Sequence, residues 1–157
     1  MIVYNGKIVP IALPGNTTTP ILTVIAGATR SFLVLEIDAE GMNTASAANE
    51  MGVYRVGTAG VTGGTAVTFV PIDLPVTATA FSGTAFGTYS TQPVLGALIH
   101  NIPVNANGQR YFWRANPNLN NAIVVPGGNN AAASIAVAAT NAAYTSTIAL
   151  RLQIAEL

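Results

Sequence analysis

The sequence predicts an all-β protein, a single-domain antiparallel β-sandwich with an N-terminal hairpin arm. Three observations lead there. Eight to ten short apolar segments are separated by clusters of Gly, Pro and Asn, the spacing expected of strands and turns in a sandwich or barrel. The best-formed segments alternate with period two, which suits a strand with one buried face and not a helix. No stretch carries a convincing helical period. The 157 residues suit one domain and are enough for a core. The expected division is an arm with linker over residues 1–19 and the sandwich domain over 20–157.

The elements follow in chain order. Ile2-Val3-Tyr4 and Lys7-Ile8-Val9 flank Asn5-Gly6, a pair suited to a type I′ hairpin turn in which both central residues need positive φ. A lone hairpin is marginal in water, so this arm is expected to dock on a neighbour. Pro10, Pro14, Gly15 and the polar run Asn16–Thr19 then form a loop. Ile21–Ala26 is a short strand, and Arg30–Glu40 a long one with Leu33, Leu35 and Ile37 on one face and Phe32, Val34, Glu36 and Asp38 on the other. Met51–Val56 and Thr65–Ile72 are strands joined by a glycine-rich connection, Gly57–Gly64.

Thr77–Thr91 holds Phe81, Phe86 and Tyr89 among small residues and glycines, which suits an irregular or edge strand. Val94–Val104, Gln109–Ala115 and Ala122–Val125 are strands. Ala131–Ala143 is alanine-rich, a composition that favours helix; the two-residue spacing of Ile135 and Val137 favours a strand. Ser146–Leu157 closes the chain with Ile148, Leu150, Leu152 and Ile154 on one face and Arg151 on the other. Paired with Arg30–Glu40, this strand would bring Arg151 to Glu36 across the sheet, a contact of about 0.2–1 kcal/mol. Strands of this length joined by variable loops favour a two-sheet jelly roll, and no internal repeat points to a propeller or β-helix.

Composition bounds function. Half of the residues are apolar, 8% are charged and the formal net charge is zero, against about a quarter charged in a typical soluble domain. Neutrality favours association and opposes nucleic-acid binding, which needs clustered Lys and Arg. The absence of cysteine removes disulfides and thiolate metal sites. No signal peptide and no membrane span are expected: the uncharged stretch between Arg114 and Arg151 is broken by Asn, Gly, Pro and Thr. Val94–Val104 and Ala122–Val125 are apolar on both faces, and a sandwich buries only one face of each sheet. A partner subunit is the favoured second cover, with loops or the arm as the alternative.

No catalytic constellation emerges, so no enzyme and no cofactor are expected. His100 is the single histidine; a hydrogen-bonded imidazole is favoured over a ring of metal-binding histidines on a symmetry axis. Glu36, Asp38 and Glu40 share a face, but alternate side chains on a strand stand roughly 7 Å apart. They read as solvated charges answered by Arg151 or Arg30, and no metal site is assigned. Gly57–Gly64 lacks the Gly-Lys-Ser/Thr of a phosphate cradle. Tyr111 and Trp113 point inward by alternation rather than forming a sugar-stacking platform. That leaves Arg110, Phe112 and Arg114 outward, a composition enriched in interfaces. The expected interaction residues are Ile2, Tyr4, Lys7 and Ile8 of the arm, with Leu98, His100, Arg110, Phe112 and Arg114.

The segments Ala28–Ile37, Gly52–Val56, Trp113–Pro117, Ile123–Gly128 and Ile148–Glu156 together resemble the jelly-roll capsid cement or decoration proteins of tailed phages. The resemblance implies a structural virion protein: a homotrimer on the outer capsid surface that binds and stabilises the shell of major capsid protein. In that setting the arm would add a strand to a neighbour's sheet edge. A tail or baseplate component and a carbohydrate-binding sandwich for host attachment are the alternatives.

Overall fold

The structure, a computed structural model, describes residues 1–57, 64–72, 80–128 and 133–157. Eleven strands appear among them: β1 (Ile2–Ala12), β2 (Leu22–Ile25), β3 (Phe32–Met42), β4 (Ala48–Val56), β5 (Phe69–Pro71), β6 (Thr84–Phe86), β7 (Leu95–Asn105), β8 (Asn107–Arg114), β9 (Ile123–Val125), β10 (Ser134–Ala139) and β11 (Thr147–Glu156). Most of the Gly57–Gly64 connection and the starts of the expected Thr77–Thr91 and Ala131–Ala143 strands lie outside the described residues.

Two antiparallel sheets pack face to face. One has the order β5-β1-β11-β3-β8, with β9 also on β3, and the other β6-β2-β10-β4-β7. The chain doubles back on itself like a ribbon: β1 pairs with β11, β2 with β10, β3 with β8 and β4 with β7. Rolling that ribbon so that β11 also meets β3 and β10 meets β4 gives the jelly roll. β5 and β6, from the connection between β4 and β7, extend one edge of each sheet.

The inward faces build a single core. Ile148, Leu150, Leu152 and Ile154 of β11 are all buried in it, each contributing about 1.5–3 kcal/mol at most. β3 departs from strict alternation. Its core residues are Phe32 and Val34, then Ile37 and Ala39, so the faces expected for Leu33, Leu35 and Ile37 are corrected. A bulge explains the change of phase: Ile154 pairs with Val34 and Gln153 with Glu36, skipping Leu35.

The N-terminal hairpin is also corrected. Residues 2–12 form one strand held between β11 and β5, so this segment belongs to the sandwich and not to an arm. Neither Asn5 nor Gly6 has positive φ. Asn5 pairs with Gln153 and Val70, Gly6 with Leu152 and Phe69. The irregularity lies further on, where the register shifts between Ile8 and Ile11 around Pro10, a residue with no N–H to give to a ladder.

β10 and its neighbour β2 are buried on both faces: all six residues of β10 and all four of β2 are buried. The outward residues Ala136 and Ala138 of β10 neighbour Thr23 of β2 and Tyr54 and Gly52 of β4. Thr23 is itself fully buried on that face and donates to Tyr89 Oη at 2.9 Å, so part of the second cover comes from this chain's own β6–β7 segment. β7, by contrast, is an edge strand. Ile102 and Val104 are buried, whereas Val94, Leu98 and Ile99 near its start are exposed.

Candidate interaction surface

The outer face of the first sheet carries most of the protein's charge, in rows fixed by register. Lys7, Arg151, Asp38 and Phe112 lie opposite one another across β1, β11, β3 and β8. On one side Asn5, Gln153, Glu36 and Arg114 form a parallel row; on the other, Ala149, Glu40 and Arg110 do.

The ion pairs run within and between these rows. Arg110 grips Asp38 with two hydrogen bonds, Nε to Oδ1 at 2.6 Å and Nη2 to Oδ2 at 2.7 Å. Such a fork is the strongest carboxylate geometry available to arginine. It holds the Asp38 carboxyl below the usual carboxylate range and raises the Arg110 guanidinium, outweighing the opposing effect of burial on each. Arg114 Nε donates to Glu36 Oε1 at 2.6 Å, and Glu36 is almost wholly buried beneath it. Arg151 sits between the two acids, 3.1 Å from Asp38 and 3.9 Å from Glu36. The expected contact with Glu36 is therefore present but secondary, because the register sets Arg151 opposite Asp38. The expected partner Arg30 instead reaches Glu156.

Phe112 projects outward between the arginines, whose Cζ atoms lie 5.8 Å (Arg110) and 5.6 Å (Arg114) from the ring centroid. Each such contact is worth about 0.5–1 kcal/mol at an exposed site. The carboxylates hold the guanidiniums in place, and the guanidiniums hold the ring. Phe112 remains 48% exposed, so the apolar surface is presented rigidly, with little side-chain entropy left to lose on contact.

Tyr111 and Trp113 point the other way, against the core. There they meet His100 of β7 and close the gap between the two sheet edges. His100 Nε2 lies 2.8 Å from Tyr111 Oη, and its ring is 5.0 Å from Trp113. Burial lowers the His100 pKa and raises that of Tyr111. The imidazole is thus a hydrogen-bonded edge residue. No group of three or more His, Cys, Asp and Glu suited to a metal ion occurs among the described residues.

The expected interaction residues consequently separate. Lys7, Leu98, Arg110, Phe112 and Arg114 are at the surface. Tyr4 and Ile8 are buried in the core and Ile2 packs against it, which removes them from any docking surface of the folded chain. The physical reason is the one that removed the arm: β1 is interior to its sheet. The doubly apolar reading of Val94–Val104 singled out the start of β7, and Leu98 is exposed there together with Val94 and Ile99; that β7 is an edge strand is decided by pairing and not by composition. Compared with family models, with curated proteins and with solved structures, the chain has no match.

Proposed function

We propose that this protein is a structural component of a tailed-phage virion, a capsid cement or decoration protein that assembles as a homotrimer on the outer capsid surface and binds the major capsid protein. One observation carries the reading. Phe112 is clamped outward by two arginines on β8, while Leu98 and Ile99 of the neighbouring edge strand β7 and Val94 just before it are exposed. Exposed apolar side chains on adjoining sheet edges are what association surfaces require. Ion pairing within the chain leaves few free charges to oppose contact there. A capsid offers many copies of such a surface at fixed geometry, so modest single contacts add to strong retention.

The test is addition of purified protein to undecorated heads of the phage whose major capsid gene accompanies this one, followed by sedimentation and imaging. Saturable decoration, an oligomer by analytical ultracentrifugation, and loss of both in Phe112→Asp and Leu98→Asp are expected. A protein that remains monomeric at high concentration and fails to sediment with heads would overturn the proposal.

A further inference from the structure

The outer face of the second sheet holds a groove where β4 meets three loops. Its lining includes Thr17, Thr18, Tyr54, Gln92, Gly96 and Thr140, and its volume is about 580 Å³. That volume lies in the range of small-ligand sites. We propose that this groove binds a neutral saccharide, with Tyr54 as the stacking platform.

The platform is built by the strand register. Thr23, Ala136, Tyr54 and Leu98 lie in one row across β2, β10, β4 and β7. Ala136 flanks the tyrosine on one side and Leu98 on the other, with Gly52 two residues back on the same strand and Ala138 opposite Gly52. A Cβ on Gly52 would run into the Leu98 side chain and would lie 2.8 Å from Tyr54 Cε2 and 3.0 Å from Cζ, so the two side chains share the space over this glycine. The ring therefore leans along the strand over Gly52 instead of standing off the sheet, and it stays partly accessible. A ring lying along a sheet offers its π-face to the apolar C–H face of a pyranose.

The polar groups suit hydroxyl ligands. Gln92 Oε1 accepts from Thr19 Oγ1 at 3.3 Å, which orients the amide. No hydrogen bond from Gln92 Nε2, Thr17 Oγ1 or Tyr54 Oη to a described residue is present in the structure. Thr140 Oγ1 donates to the Glu50 carbonyl at 3.1 Å and Thr18 Oγ1 to Asn16 Oδ1 at 3.2 Å; each hydroxyl keeps acceptor capacity. No Asp, Glu, Lys or Arg lines the groove. An anionic ligand would lose hydration there without gaining a counter-ion and would face the nearby charge of Glu50, which after burial is the second cause of the raised Tyr54 pKa, whereas a neutral polyhydroxyl ligand would trade like for like. The groove lies on the opposite sheet from the charged rows, but Val94 lines it and also belongs to the proposed association edge; Tyr54 and Gln92 belong to the groove alone, so their variants test this inference apart from the assembly role.

The experiment is an amide NMR titration of the intact protein with neutral glucan, mannan and galactan hexasaccharides, with a sialylated trisaccharide and a heparin hexasaccharide as charged counterparts. At least one neutral saccharide is expected to give saturable shifts centred on Thr17, Tyr54, Gln92 and Thr140. Tyr54→Ala and Gln92→Ala should each weaken binding by up to roughly tenfold, the scale of one aromatic or hydrogen-bonding contact. Tyr54→Phe should keep most of the affinity, which separates stacking from damage to the fold. Absence of saturable shifts with every neutral saccharide, equal binding by Tyr54→Ala, or preference for the charged ligands would overturn it.

Discussion

Phe69 covers Gly6: a Cβ added to that glycine would fall 2.6 Å from Phe69 Cε2, inside the space of the ring. The two residues are paired across β1 and β5, and Phe69 is packed in turn against Phe81, ring centroids 5.5 Å apart. Gly6→Ala is expected to cost roughly 1–3 kcal/mol by overpacking. In a Phe69→Ala background the same substitution should be nearly neutral, since Gly6 has no positive φ to strain an alanine. A urea-denaturation double-mutant cycle reads the difference; a cost unchanged by Phe69→Ala would disprove the contact as its cause.

Glu156 ties three parts of the chain together from a fully buried position. Its carboxylate receives Arg30 Nη1 at 3.2 Å and the Ser82 amide at 3.0 Å, and it also engages the Ser82 hydroxyl. Removing it strands a half-exposed arginine and leaves a partly buried amide unsatisfied. Glu156→Ala should therefore destabilise by about 2–3 kcal/mol, and Arg30→Met by less, because Arg30 is 46% exposed and water screens it. Equal stability of wild type and Glu156→Ala in urea would contradict this.

How much of this was legible in the sequence depended on how local each decision is. β11 was legible because one face carries Ile148, Leu150, Leu152 and Ile154 without interruption, and alternation is a property of the strand alone. The strand identity of β10 was legible from Ile135 and Val137, against the helix propensity of its alanines. Asn5-Gly6 misled because it meets the local requirement of a turn, while the reason for Gly6 lies 63 residues away at Phe69, beyond any local pattern. The β3 bulge was hidden for the same reason, being set by pairing with β11. At the candidate surface, the outward placement of Arg110, Phe112 and Arg114 followed from alternation. Their carboxylate partners depended on which strand lies beside β8, and the saccharide groove on loops meeting β4 from three parts of the chain.

Deletion of Met1–Val9 distinguishes an arm from an integral strand. The deletion removes Tyr4 and Ile8 from the core and strips β11 of its neighbour along most of its length. Two large side chains alone account for about 3–6 kcal/mol, a large part of the 5–15 kcal/mol that a domain of ordinary stability possesses. The truncated chain is expected to lose cooperative thermal unfolding and near-UV circular dichroism. A folded truncation would show that the first strand is dispensable after all.

Acid should weaken the fold in two steps set by His100 and Asp38. Burial holds the His100 pKa below its ordinary 6.5, so below that pH the unfolded chain takes up a proton that the folded edge resists. The stability tied to neutral His100 is intact above about pH 6.5 and is lost as pH falls through the lowered folded value. Asp38 behaves likewise at lower pH. Its hydrogen bonds from Arg110 depress its pKa below 3.8, so this contribution is full above that value and disappears as pH falls through the folded pKa. Urea midpoints measured from pH 7.5 down to pH 3 should show both losses. His100→Gln, which retains a side-chain partner for the Tyr111 hydroxyl, should abolish the first and keep the second, while Asp38→Asn should do the reverse. Parallel curves for wild type and His100→Gln between pH 6.5 and 5 would exclude the histidine as the source of the first step.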